Sequence, residues 1–161
     1  MSGLRVFDDA LLDRLSSEAR ESPRLRAHHL IHRDHSDLHQ RLLIALEPGT
    51  YVRPHRHLDP PRDETFVLLR GQVRVLTFDD AGRIADECVL RERAAARCAD
   101  VGAGTWHTVQ CGASGSIVLE TKAGPFSVVA PNDWPKLVGT EGLARTAVDT
   151  RSSAFHQIRR P

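Results

Sequence analysis

Cysteine is scarce in this 161-residue chain: Cys88, Cys98 and Cys111 are an odd number with no CxxC spacing. They suit buried thiols in a reducing compartment better than a disulfide framework. A long apolar run is also lacking, since nothing approaches the roughly 18 residues that a membrane span requires. Charge of one sign is missing too. Lys and Arg total 22 against 21 Asp and Glu, a net charge of +1, and acidic residues are interspersed among the arginines. No lysine-rich run or basic stripe forms, which argues against nucleic acid as a partner. The start, "MSGLRVFDDALL", carries acidic residues where a signal peptide has a basic segment and an apolar run, so the expectation is a cytoplasmic protein without membrane attachment. What remains, 40% apolar and 27% charged residues, fits one globular domain with short tails.

Residues 7–20, "FDDALLDRLSSEAR", space Phe7, Leu11, Leu12 and Leu15 close to helical period, with Asp8 or Asp9 as the cap. "QRLLIAL" (40–46) has strand length, and "EPGTY" (47–51) is a turn with Pro before Gly. From Tyr51 onward the punctuation is all-β. "YVRPHRH", "ETFVLLRG" and "QVRVLTF" are expected strands, "DDAGR" (79–83) a hairpin turn, and "IADECVL", "RCADVG", "WHTVQC", "SGSIVLET" and "FSVVA" further strands. Strands every 8–12 residues or so with Gly-containing turns indicate a sandwich or barrel. The alternation stops after residue 130. The expected layout is therefore a helix and lead-in over 1–39, a barrel over 40–130, and an irregular extension over 131–161.

On a strand, His55 and His57 point the same way. Glu64 follows after six residues that include Pro60 and Pro61, and His107 stands in "GAGTWHTV" just after a Gly-rich turn. Were 51–57 and the Glu64 strand to pair as a hairpin, Glu64 would return to the level of the histidines. Three imidazoles and one carboxylate suit a first-row divalent ion and leave positions open for water or substrate.

These residues carry a family resemblance. "GTYVRPHRH", then Glu64 and, after six further residues, Gly71, is similar to the first cupin motif; Gly104, Thr105, Trp106 and His107 are similar to the end of the second. The gap between His57 and Glu64 is longer than usual, Gly102 stands where proline is common, and Cys111 where an Asn would follow; none of these touches a ligand. The blocks at 45–57, 64–71, 78–82, 102–108 and 120–125 more closely resemble the WbuC-type cupins, small proteins often associated with surface-polysaccharide gene clusters. That resemblance implies a double-stranded jelly-roll barrel holding one divalent metal (zinc, iron, manganese or nickel) on His55, His57, Glu64 and His107. It implies no particular reaction. Cupins of this size commonly pair, so a homodimer is expected.

Other residues have two readings each. Arg53 and Tyr51 share the parity of the histidines. Arg53 either holds an anionic substrate group or pairs with Glu64 or Glu120; Tyr51, the single tyrosine, serves as an acid or base or else packs with its hydroxyl bonded. Phe66 shares Glu64's parity and floors the pocket. Lys122 either reaches an anionic substrate or forms an exposed pair with Glu120. Trp106 is expected to seal a barrel edge or a dimer surface, and "HHLIHRDHSDLH" to be a solvated segment. The expected function is a metal-dependent enzyme on a small polar molecule, such as a sugar or sugar-phosphate isomerase. The alternatives are an iron dioxygenase or a non-catalytic metal- and ligand-binding sensor.

Overall fold

The computed structural model describes residues 3–127. The N-terminal period becomes helix α1, Asp9–Glu21, capped by Asp8, whose side chain accepts the Leu11 N–H at 3.1 Å. Leu12, Leu15 and Ala19 form its buried face and meet Leu43, Ala45 and Ile117 of the sheet. Burying a leucine this way stabilises by about 1.5–3 kcal/mol.

Six strands follow: β1 Arg26–Leu30, β2 His39–Leu46, β3 Glu64–Phe78, β4 Ile84–Arg91, β5 Cys98–Val101 and β6 Trp106–Ala123. All pairings are antiparallel, in the order β1-β2-β6-β3-β4, with β5 also on β3. Register sorts the side chains by face. Leu43, Ala45 and Ile117 lie under α1, while Ile44, Leu46, Phe66, Leu68 and Val118 meet in the main core. This is the all-β jelly roll expected from the sequence, with its short N-terminal helix.

Several details differ from expectation. The two strands expected over 64–78 are one, β3, bent where Gly71 adopts φ +80° and the register to β6 shifts. Likewise "WHTVQC" and "SGSIVLET" join into β6. Residues 51–57 form no strand; Pro54, Pro60 and Pro61 cannot donate to a ladder, and one isolated bridge, His55 to His107, replaces it. The expected hairpin between 51–57 and Glu64 is therefore absent, and Glu64 pairs with Val101 and Lys122 instead. Strand β1 lies within the expected lead-in and pairs along β2. The "HHLIHRDHSDLH" segment is not simply solvated: His28 and His29 belong to β1, His39 opens β2, and His32 is buried with Nδ1 2.8 Å from the Arg41 carbonyl and 3.0 Å from its nitrogen. Of the three free thiols only Cys111 is buried. Phe126 and Ser127 are not in a strand, and the extension over 131–161 lies outside the described residues. Among the described residues no helix is long and apolar enough to cross a membrane.

Candidate metal centre

His55, His57, Glu64 and His107 each offer a donor atom, and these atoms lie within 4.8 Å of one another. Two parts of the backbone bring them together. Glu64 opens β3 and is 1% exposed, directly opposite Lys122 of β6. His107 is the second residue of β6, launched by a turn in which Thr105 N–H donates to the Gly102 carbonyl and Gly104 takes φ +75°. The extended loop before β3 is fastened to it. The His55 N–H donates to the His107 carbonyl at 3.0 Å, the His107 N–H to the His55 carbonyl at 2.9 Å, and the Thr108 hydroxyl to the Val52 carbonyl at 2.5 Å. Pairing by this bridge, rather than strand parity, aims His55 into the cluster.

The ring nitrogens are oriented by their outer contacts. His55 Nδ1 lies 3.0 Å from the Arg53 carbonyl and His107 Nδ1 lies 2.9 Å from the Thr105 carbonyl. A carbonyl only accepts, so both Nδ1 atoms carry hydrogen and both Nε2 lone pairs are directed to the cluster. Such backbone tethers also orient metal-bound histidines. Yet His107 Nε2 stands 2.7 Å from Glu64 Oε2, an acceptor facing an acceptor unless a proton or a cation lies between them. His57 Nε2 is buried, 3.5 Å from the same oxygen, with no hydrogen-bond partner among the described residues. Metal bonds of about 2.0–2.2 Å place donors at most roughly 4.4 Å apart, close to the spread seen here. The donor set fits a divalent first-row ion held by three nitrogens and one oxygen.

Behind Glu64 lies a buried charge network. Lys122 Nζ donates to Glu64 Oε1 and to Glu120 Oε1, each at 2.7 Å. Burial pushes the Glu64 carboxyl up, but the adjoining His107 and His57 rings and the Lys122 charge overcome this and hold it well below the usual carboxylate range. Burial, followed by the Glu64 charge, raises Glu120 to about 8, against the opposing pull of Lys122. Burial also tends to lower Lys122, yet the two carboxylates raise it above the ordinary lysine value. His55 is lowered to about 4 by burial and then by His107, which keeps its ring neutral and available as a donor.

The other site residues anticipated from sequence are placed differently. Tyr51 and Arg53 are exposed, and without a strand their parity with the histidines has no force. Phe66 is buried with its ring centroid 6.2 Å from that of His107, a floor to the cluster. Lys122 faces inward and is bonded to Glu64 and Glu120, rather than forming an exposed pair. Trp106 is buried against Leu76 and Phe78, with the Arg56 guanidinium 4.4 Å from its ring centroid. The sequence reading missed Arg26 and His28, which alternate with Ala27 and His29 along β1; the period of two in "RAHHL" was the available signal.

Comparison with known proteins agrees with this architecture. TT1209 from Thermus thermophilus is 26% identical, with 74% of this chain and 97% of that chain covered and a TM-score of 0.54. An uncharacterised conserved protein with a double-stranded β-helix domain from Klebsiella pneumoniae subsp. pneumoniae is 16% identical, over 79% of this chain and 96% of that one, with a TM-score of 0.55. KdgF from Halomonas sp. is 13% identical, over 66% and 84%, with a TM-score of 0.50. The fold is thus that of the cupins, the double-stranded β-helix. No curated protein matches the chain. One family profile matches residues 7–90, a span that runs from α1 to β4 and contains three of the four clustered donors. The chain accordingly belongs to the family described as a domain of unknown function, DUF6016.

Proposed function

We propose that this protein is a metal-dependent cupin enzyme of the WbuC type, acting on a small polar or anionic molecule such as a sugar or sugar phosphate in an isomerase-like reaction, with a place in surface-polysaccharide synthesis. The observation that supports it is the convergence of His55, His57, Glu64 and His107, with an unpartnered buried Nε2 among them. These four residues would hold the ion. When bound, a divalent cation supplies Lewis-acid polarisation of substrate oxygens. Lys122 fixes Glu64 through Oε1 and leaves Oε2 turned to the histidines. Phe66 closes the floor against water. At the exposed rim Arg53 draws an anionic substrate toward the cup, and the Tyr51 hydroxyl moves a proton there. The same donor set also suits iron and dioxygen chemistry, and redox-inert zinc in purified protein would count against that alternative. A sensor that binds metal and ligand without turnover is the remaining reading.

The test is elemental analysis of purified protein beside His57→Ala and Glu64→Ala. The wild type should hold about one metal per chain; both variants should lose it, with melting temperatures lower by about 5–10 °C. Full occupancy in both variants would refute the assignment.

A further inference from the structure

The cup has a second polar wall. Register places Arg26 opposite Leu46, His28 opposite Ile44 and Leu30 opposite Leu42. Leu46, Ile44 and Leu42 belong with Phe66 and Val118 to the core on the cup side, whereas Ala27 lies with Leu43 and Ala45 under α1. Arg26 and His28 therefore face the same side of the sheet as Glu64, Glu120 and Lys122. The arginines there are uncompensated: no carboxylate among the described residues pairs with Arg24 or Arg26. Arg26 is half-buried, and one of its N–H groups donates to the Tyr51 carbonyl at 2.6 Å, in the loop that carries His55 and His57. A guanidinium has five N–H donors in a rigid fork, so most of its donor capacity remains.

We propose that Arg26 and His28, with Arg24 beside them, form a recognition site for the anionic end of the substrate, a carboxylate or phosphate, across the cup from the histidine cluster. Both groups respond to neighbouring positive charge. Burial and then Arg24 lower Arg26, while burial and then Arg26, Arg24 and Lys122 lower His28. An oxyanion bound between them relieves that repulsion and accepts charge-assisted hydrogen bonds. Strands are spaced about 4.8 Å apart, so β1 stands roughly 10 Å from β6 along the sheet. That separation, shortened by the arginine stem, suits a ligand about the length of a monosaccharide acid or phosphate ester. The inference deepens the proposed function, resting on that reading for the metal end of the ligand only.

The experiment follows the His28 imidazole and the Arg26 Nε–H by NMR in the full chain, both chelator-treated and zinc-loaded. Inorganic phosphate and acetate are titrated at constant ionic strength. Both reporters should shift saturably with at least one anion, in the metal-free protein as well. The apparent affinity should fall about tenfold in Arg26→Gln, read at His28, and in His28→Asn, read at Arg26. Saturation by phosphate alone or acetate alone supports the site and identifies which anion it prefers. Unsaturable shifts, unchanged affinity in both variants, or perturbation confined to His55, His57 and His107 would overturn it. Because the metal-free arm stands alone, failure to take up zinc sinks the metal assignment without touching this one.

Discussion

Lys122 is the residue on which the site's electrostatics turn. It is the only lysine or arginine bonded to Glu64 and Glu120 among the described residues, and it balances the Glu64 charge while Glu120, raised to about 8, shares its ammonium in the same buried space. Removing one partner of a buried ion pair commonly costs about 3–5 kcal/mol. Lys122→Met should therefore lower stability by about 3 kcal/mol in urea denaturation. It should also weaken zinc affinity by about 10–100-fold in a competition titration, since Glu64 loses the contact that orients it. A variant with wild-type zinc affinity would show that Glu64 is held well enough by the histidines alone. At this scale the four clustered donors were legible in the sequence because three of them are closely and unusually spaced and the fourth follows a Gly-rich turn. The orientation of Tyr51 and Arg53 was not. The parity argument assumes a strand, and the prolines around the histidines leave an extended loop pinned at a single bridge.

Among the elements, β3 does most to build the cup. It runs from Glu64, a donor of the cluster, to Thr77 and Phe78, opposite His107 and Trp106, and pairs with β4, β5 and β6. Its bend at Gly71 combines φ +80° with close approach to the Gly115 carbonyl, so a methyl group there would clash with backbone. Gly71→Ala should cost about 1–3 kcal/mol by urea denaturation, without directly removing any donor of the cluster. An unchanged midpoint would mean that the bend relaxes freely. The sequence suggested turns at such glycines, because a glycine within apolar alternation looks the same whether it ends a strand or kinks one. The helix was read correctly since its cap and period are both local. β1 was overlooked because its five residues include two histidines and an arginine, and only pairing with β2 makes them a strand.

For the whole molecule, the jelly roll was legible from the rhythm of strand-length segments and turns, which reflects how often a barrel must reverse its chain. Pairing partners were not, since β2, β6 and β3 lie side by side despite being far apart in sequence. The sheet ends at β4, whose first four residues, including Ile84, are exposed. An open edge of this kind is available for association, and we propose that the protein is a homodimer. Light scattering should give twice the 17.9 kDa chain mass, and a single species at the monomer mass would exclude it.

The mutual bridge between His55 and His107 has a consequence for the order of assembly. During synthesis, three donors leave the ribosome well before the fourth, and the bridge that fixes His55 cannot form until β6 arrives. Any cation captured by the complete quartet is therefore captured after the last described strand begins to close the barrel, so filling of the pocket doubles as a report that the chain has finished wrapping.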